Sequence, residues 1–388
     1  MKIGIDARWI FPQISGIGTY TQELIRGLAQ IDRQNEYILF FDDKARMQKI
    51  AEHVRLDRAP NFKTHLLSFG VFSPLGQICF PKIIRTLKLD IFHSPNYMMP
   101  LLAFPRQRPG RTRCVVTIHD LIPLLFPQFT PKALKTRFFP VYKRLMAEVG
   151  TRANTILTVS ETSRRDVIEH LGIPAARHGD VIAVPNGVAP EYIPSQRKRG
   201  AEKQILYVGR FDPYKNVPGL IEAFSKVRER SKTPVRLRIV GPADPRYPEA
   251  PARARQLGLD PFIAWDGYVS DEGLVKAYQH ADVFVLLSLY EGFGLTVLEA
   301  MACGTPVVCS IRSSLPEIAG AAALMVDPAE SAQAADAIVR VLEDAKLAAE
   351  LREKGVRQAA KFTWTRTATM TLKAYEHAMT KREGHAPA

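Results

Sequence analysis

The chain has 388 residues, of which 46% are apolar, so it is long enough for more than one buried core. Lys and Arg exceed Asp and Glu by 53 to 39, which gives a net charge of +14. These values exclude a small module or a disordered tail, and the longest apolar runs, such as residues 283–287, are far short of the roughly 20 residues that span a bilayer. We therefore expect a soluble, cytoplasmic protein.

The first half alternates short β-branched runs with amphipathic stretches, a pattern typical of strand–helix–strand units around a buried parallel sheet. Helices are clearest over residues 20–30 and 161–171. We predict strands over residues 2–7, 37–41, 63–68, 91–94, 114–118, 155–160 and 181–184.

A break follows at residues 190–200, where prolines and a basic run leave nothing to pack, and the alternation then resumes. The strands predicted after it cover residues 204–208, 236–240, 262–265, 283–287, 306–309 and 324–326. The sequence thus predicts an α/β protein of two tandem Rossmann-like, doubly wound domains that face a central cleft. The predicted domains are residues 1–195 and 196–364, and residues 365–388 are a C-terminal helix, expected to cross back to the first domain, and a tail.

The most specific motif runs from Glu291 to Glu299, directly after an apolar strand. Two carboxylates bracket Gly292 and Gly294, and a helix is predicted to begin near Gly294. Glycines let backbone N–H groups approach a ligand closely, and a helix start attracts anions. Glu299 is placed to accept hydrogen bonds from vicinal hydroxyls such as a ribose diol. Acidic residues that merely complement the helix dipole are the alternative.

A second motif, residues 208–216, opens the same domain with a strand end, a turn and a helix start. Arg210 and Lys215 lie where a diphosphate would be bound, since a guanidinium grips two phosphate oxygens and an ammonium adds a mobile charge. A pair of solvated loop residues is the alternative.

Together these motifs resemble glycosyltransferase family 4, the retaining, nucleotide-sugar-dependent enzymes of the GT-B fold, over residues 2–328. The resemblance implies that Arg210 and Lys215 grip the donor diphosphate and that Glu299 holds the ribose. It also implies that Glu291 contacts the transferred sugar, together with the backbone of Phe293, Gly294 and Leu295.

The first domain matches the family at two further places. Residues 15–20 resemble the glycine-rich loop that closes over the donor, and Gly16 and Gly18 are the glycines predicted to contact it. His119 follows the strand at residues 114–118, and the family's histidine there touches the donor sugar. A purely structural histidine is the alternative.

No Asp-x-Asp motif follows a predicted strand, so we expect no metal ion and no cofactor besides the donor. No side chain stands out as a covalent nucleophile either, in agreement with the front-face mechanism usually proposed for the family. In that mechanism the leaving phosphate takes the acceptor's proton.

Charge is concentrated in the first half, because residues 1–195 carry 26 basic and 16 acidic side chains. Residues 126–146 mix Lys132, Lys135, Lys143 and Arg144 with aromatic side chains, and Pro140 interrupts the predicted helix. This element suits an anionic membrane surface. Aromatics packed in the core beneath a solvated basic face are the alternative.

The function predicted is that of a bacterial polysaccharide mannosyltransferase, which moves a hexose from a nucleotide diphosphate sugar, with GDP-mannose expected, to a glycan or lipid-linked acceptor. A nucleotide-sugar epimerase, a phosphorylase or a catalytically silent binding subunit are the rivals. Nucleic acid is not expected as a partner, because no nucleic-acid module is present.

Overall fold

A computed structural model describes residues 1–11, 16–106, 110–130, 134–195, 200–242 and 244–380. The chain forms two compact units. The first unit contains residues 1–121, 138–187 and the C-terminal segment from Trp364, and the second contains residues 122–137 and 188–363. This division falls before the predicted boundary at residues 195 and 196, and nothing in the sequence pattern predicted that residues 122–137 group with the second unit.

All thirteen predicted strands are present, each with ends within two residues of the predicted ones. In chain order the strands are β1 (Lys2–Asp6), β2 (Glu36–Phe41), β3 (Phe62–Leu66), β4 (Ile91–Ser94), β5 (Arg113–Ile118), β6 (Thr155–Thr158), β7 (Val181–Ala183), β8 (Lys203–Val208), β9 (Val235–Val240), β10 (Ile263–Gly267), β11 (Val283–Leu286), β12 (Val307–Ser310) and β13 (Ala323–Val326).

Helices separate most of the strands. They are α1 (Gly16–Ile31), α2 (Lys44–His53), α3 (Pro74–Thr86), α4 (Ile122–Leu125), α5 (Leu134–Arg137), α6 (Phe139–Arg152), α7 (Glu161–His170), α8 (Val217–Arg230), α9 (Glu249–Gln256), α10 (Asp271–His280), α11 (Leu295–Ala302), α12 (Leu315–Ala319), α13 (Ser331–Glu343), α14 (Ala345–Ala359) and α15 (Trp364–Thr380). As predicted, the helical stretch is interrupted near Pro140, which lies in the first turn of α6.

Both sheets are parallel, and both have the doubly wound strand order. The first sheet runs β3-β2-β1-β4-β5-β6-β7, and the second runs β10-β9-β8-β11-β12-β13. The order reverses between β1 and β4 in one unit and between β8 and β11 in the other. In such sheets ligands bind outside the carboxyl ends of the strands at this reversal point. The fold therefore indicates where to look for a site in each unit.

The predicted C-terminal helix is α15, which packs on α1 within the first unit. The approach is close at Gly27, where a Cβ would lie 2.9 Å from the Trp364 carbonyl oxygen. Tyr375 of α15 reaches the sheet and hydrogen-bonds His93 of β4. The described part of the last segment ends at residue 380, so residues 381–388 of the predicted tail lie outside the described residues.

A buried ion pair lies where β1 ends. Arg8 donates from Nε to Asp6 Oδ1 at 2.8 Å and from a terminal nitrogen to Oδ2 at 2.7 Å, and both residues are buried. The guanidinium also donates to the Phe69 carbonyl and lies over the Phe80 ring. This bidentate geometry satisfies both charges where water is excluded.

Candidate active site

The strongest candidate site lies in the second unit, where β8 and β11 are neighbours in the sheet. Beyond β8 the chain continues through Arg210 to Lys215, and beyond β11 it continues to Glu291. The Leu289 N–H donates to the Tyr214 carbonyl at 2.7 Å, so a backbone hydrogen bond ties these two connections together. The two motifs predicted to bind the donor, residues 208–216 and 291–299, are thus adjacent at the reversal point of this sheet.

Lys215 and Glu291 form an ion pair. The Lys215 ammonium donates to both carboxylate oxygens of Glu291, at 2.7 and 2.9 Å. Both side chains are largely buried, which strengthens the pair relative to one at the surface. The sequence assigned these residues separate roles, one on the diphosphate and one on the sugar, and did not predict that they would touch.

Three serines hold Glu291 in place, and none of them was predicted as a site residue. Ser288 donates to Glu291 Oε1 at 2.6 Å, and the Glu291 N–H donates to Ser313 Oγ at 2.8 Å. Ser314 donates to the carbonyls of Glu291 and Phe293, both at 2.9 Å. Ser313 and Ser314 come from the connection after β12, more than 20 residues away in sequence, so no local signal could have identified them.

Helix α11 begins directly after Gly294, as predicted. Gly294 has a φ of +103°, and a Cβ there would lie 2.6 Å from a Leu315 methyl group, so glycine is required at this position. The N-cap residue is Gly294 itself, so no N-cap side chain bonds this helix start. The Val297 and Leu298 N–H groups donate to the Gly294 carbonyl. The N–H groups of Leu295 and Thr296 therefore remain at the positive end of the helix dipole, an arrangement that suits a phosphate.

Glu299 lies in the second turn of α11 and is buried. Burial raises the pKa of Glu299 to about 7, although hydrogen bonds from Tyr278 and Tyr192 act in the opposite direction. The Tyr278 hydroxyl is 2.8 Å from Glu299 Oε2. A carboxylate whose pKa lies near neutrality changes its charge in the physiological range. Neither tyrosine was predicted as a site residue.

Arg210 differs from the other predicted donor-binding side chains because more than half of it is exposed. Its Nε lies 2.9 Å from Asp212 Oδ2, and the Asp212 carboxylate is buried. The pair holds the guanidinium near the end of β8 while leaving much of its surface in contact with water.

The first unit places His119 beside the start of α1. The His119 and Tyr20 rings pack edge to face at a centroid distance of 4.8 Å. His119 Nε2 lies 2.9 Å from the Pro95 carbonyl oxygen, and because a carbonyl only accepts, Nε2 carries the proton. Gly16 is the first residue of α1 and is exposed, whereas Gly18 is buried in its first turn. Ser15 of the predicted glycine loop lies outside the described residues.

A buried hydrogen-bonded chain lies behind this histidine. Tyr20 Oη is 2.9 Å from Thr117 Oγ1, which is 2.8 Å from His93 Nε2, and His93 Nδ1 is 2.7 Å from Tyr375 Oη. Burial lowers the pKa of His93 to about 3, so the ring is neutral and carries one proton. The chain joins α1, β5, β4 and α15, and only folding brings these residues together.

The basic, aromatic element is divided between the two units. Tyr142 is buried in the first unit, as the core-packing alternative predicted. Phe126 packs on Tyr290 in the second unit but is only half-buried. Phe138, Lys143 and Arg144 are exposed. Lys132 lies outside the described residues, and nothing is described of the Lys135 side chain.

Within the described residues, no group of three or more His, Cys, Asp or Glu side chains is arranged to hold a metal ion. No helix in the described part of the chain is both long enough and apolar enough to cross a bilayer. Metal independence and membrane attachment both stay predictions.

Comparison with known protein families agrees with the geometry. The family described as "Glycosyltransferase Family 4" matches residues 14–192, and the family "Glycosyl transferases group 1" matches residues 188–358. The O-antigen chain mannosyltransferase B of Escherichia coli is 30% identical over 398 residues, a match that covers 97% of this chain and 100% of that protein. The serotype-specific mannosyltransferase WbdA of Escherichia coli is 29% identical over 308 residues, which are 76% of this chain but only 37% of that longer protein.

Among solved structures, Anabaena Alr3699/HepE in complex with UDP and glucose shares the fold, with a TM-score of 0.72 and 19% identity. The match covers 97% of this chain and all of that one. The family matches and the shared fold agree with the assignment of the two motifs at the reversal point of the second sheet to a glycosyltransferase. The chain therefore belongs to glycosyltransferase family 4, and it is a glycosyltransferase with the two parallel-sheet domains of the GT-B fold.

Proposed function

We propose that this enzyme transfers mannose, with retention of configuration, from GDP-mannose to a glycan or lipid-linked acceptor in surface polysaccharide synthesis. The relatives named above support mannose, since both are named as mannosyltransferases and one as an O-antigen enzyme. The observation that carries the proposal is the Lys215–Glu291 pair beside the start of α11.

In this proposal the donor diphosphate lies at the start of α11. The N–H groups that begin at Gly294 and Leu295 donate to phosphate oxygens, and the exposed Arg210 guanidinium swings from Asp212 to grip the diphosphate. Lys215 donates its third ammonium proton to the diphosphate while it keeps its bonds to Glu291. Together these groups stabilise the charge that develops on the leaving group.

Glu291 accepts hydrogen bonds from the hydroxyls of the transferred sugar. Lys215 and the three serines fix its position, so the carboxylate needs little reorganisation when the sugar binds. The buried Phe293 contributes backbone beside the sugar. Glu299, deeper in the site, accepts hydrogen bonds from the ribose hydroxyls.

The proposed reaction occurs on one face of the sugar. The bond between the anomeric carbon and the phosphate oxygen breaks, a bond forms from the acceptor oxygen to that carbon on the same face, and the acceptor's proton passes to the departing phosphate. No covalent enzyme intermediate is formed, and no metal ion is required.

The first unit supplies the remaining groups. His119, whose Nε2 donates to the Pro95 carbonyl, contacts the transferred sugar in this proposal. Gly16 and Gly18 let the first turn of α1 approach the donor. We further propose that the acceptor is presented at an anionic membrane surface on the cytoplasmic side, which the excess positive charge of residues 1–195 supports.

A donor screen tests the proposal. Release of nucleoside diphosphate is measured for GDP-mannose, UDP-glucose, UDP-galactose and UDP-N-acetylglucosamine, each with a lipid-linked and a water-soluble glycan acceptor. We expect release from GDP-mannose alone, and an α-linked product by NMR. Lys215→Met should abolish turnover, whereas Lys276→Met, an exposed lysine on α10, should match the parent. Release from no donor, or an inverted product, contradicts the proposal.

A further inference from the structure

Large apolar side chains are unevenly exposed over the described residues. Eleven are exposed, and eight of these belong to the first unit. Six of the eight are each 55% to 68% exposed. They lie in or just before α3, in or just before α6, and in the short turn Leu101–Ala103. Side chains of this size normally lose such exposure on folding, so a cluster of them marks a contact surface.

Basic side chains follow the apolar ones along both helices. On α3, Leu75, Ile78, Lys82 and Arg85 recur at spacings of three and four residues, which places them on one exposed face. Around the start of α6, Phe138, Val141 and Arg144 recur every three residues, with Lys143 beside them. We name this surface the α3–α6 face; it comprises Phe72, Leu75, Ile78, Lys82, Arg85, Leu102, Phe138, Val141, Lys143 and Arg144.

Contacts beneath the surface hold these elements side by side. The Phe72 ring packs on Trp9 at 5.6 Å, Trp9 packs on Tyr97 at 6.3 Å, and Tyr97 packs on Tyr142 of α6 at 5.6 Å. Hydrogen bonds join the Leu101–Ala103 turn to Gln77 of α3 and to Arg152 of α6. The starts of both helices therefore lie along one aromatic row.

We propose that the α3–α6 face docks on the surface of an anionic lipid bilayer, with its apolar side chains at the headgroup boundary and its basic side chains on lipid phosphates. The inference rests on the proposed function, which places a lipid-linked acceptor at a membrane, and it identifies the surface that makes the contact.

Charge decides which partner fits. No acidic side chain in the described ranges pairs with Lys82, Arg85, Lys143 or Arg144, so the face is positive throughout its basic part. A symmetric dimer through this face would bring like charges together. A nucleic acid would satisfy the charges but leave the aliphatic side chains in water. Of these partners, only an anionic lipid bilayer offers negative charge to the basic side chains and an apolar layer to the aliphatic ones.

Vesicle binding of the full chain tests the proposal. Binding to phosphatidylcholine vesicles is compared with binding to vesicles that contain about one-third phosphatidylglycerol. The double variant Lys143→Gln/Arg144→Gln should lose about fivefold in affinity per charge on the anionic vesicles. Ile78→Ser/Val141→Ser should lose about tenfold in affinity for the vesicles per side chain. The binding that remains should be electrostatic and should disappear when salt is added.

Matched controls come from exposed residues of the second unit. Lys232→Gln/Lys346→Gln removes the same net charge, and Tyr268→Ser/Ile311→Ser removes comparable exposed apolar surface. Both controls should bind vesicles like the parent. If the face variants also bind like the parent, or if they instead abolish a dimer detected by sedimentation, the proposal is overturned.

Turnover with the water-soluble acceptor separates this proposal from the proposed function. The face variants should keep parental kcat/KM with that acceptor and lose rate only with acceptor in vesicles. If the parent turns over no donor, the proposed function fails, while the vesicle measurements still decide whether the face binds lipid.

Discussion

The protonation of Glu299 should make donor binding depend on pH. Its pKa, raised to about 7 by burial, means that about one-tenth of the side chains are ionised at pH 6 and about nine-tenths at pH 8. If the ribose hydroxyls bind the carboxylate, affinity for the donor should rise about tenfold between these two pH values. Glu299→Gln keeps the shape but cannot ionise, so its affinity should be lower at pH 8 and flat across the range.

The same group should affect stability with the opposite dependence. Because the folded pKa lies above the usual value of 4.5, the protonated form is the one the fold favours, and this contribution is complete below pH 4.5 and is lost as pH rises through 7. The loss amounts to about 3 kcal/mol at about 1.4 kcal/mol per pKa unit. Relative to the parent, Glu299→Gln should therefore gain free energy of unfolding as pH rises from 4.5 to 8.

Calorimetric titration with GDP-mannose, without acceptor, measures the binding part. The intact donor is preferable to GDP, because a terminal phosphate itself titrates near pH 6. Tyr278→Phe removes a hydrogen bond that favours the ionised carboxylate, so it should move the midpoint of the pH dependence upward. If the parent's affinity does not change between pH 6 and 8, or if Glu299→Gln follows the parent, the assigned role of Glu299 is wrong.

Three further outcomes are expected. EDTA should leave turnover nearly unchanged, and loss of activity restored by magnesium or manganese would refute metal independence. Glu291→Gln should lower kcat while nucleoside diphosphate binds at least as well as before, because Lys215 loses its counter-charge; calorimetry and steady-state kinetics measure the two effects, and a parallel loss of both contradicts the assigned roles. Arg8→Met should lower the free energy of unfolding by about 3 to 5 kcal/mol because it leaves Asp6 as an unpaired buried charge, and Arg8→Met/Asp6→Asn should recover part of that loss in denaturant titrations.

Much of the fold could be predicted because a parallel sheet covered on both faces requires apolar, β-branched runs. Every residue of β4 and of β11 is buried, and both strands were located from composition alone. The start of α11 could be predicted for a related reason, since the conformation of Gly294 is one that glycine adopts without strain.

The partners of the site residues could not be predicted, because they depend on which connections the fold brings together. Ser313 and Ser314 reach Glu291 from the connection after the next strand, and Tyr375 reaches His93 across 282 residues. A serine or tyrosine carries no periodic signal that would identify such a contact. The grouping of residues 122–137 with the second unit is unpredictable for the same reason, since it rests on packing such as that of Phe126 on Tyr290.

The environments of the two glutamates, Glu291 and Glu299, differ in a way that fits the two separate roles proposed for them. The charge of Glu291 is offset by Lys215. Glu299 forms no ion pair with any residue that the structure describes, and burial raises its pKa to about 7 although tyrosine hydroxyls donate to it.

The Lys215–Glu291 pair also links the two halves of the donor in the proposed function. Lys215 meets the diphosphate and Glu291 meets the sugar, yet one hydrogen-bonded pair holds both side chains in a largely buried place. If the hydroxyls of a sugar do not reach Glu291, the carboxylate interacts with Lys215 only. The Lys215 ammonium then binds the phosphate more weakly, because Glu291 competes for it. The correct sugar draws the carboxylate's remaining lone pairs toward itself, so selection of the sugar and stabilisation of the leaving group depend on the same contact.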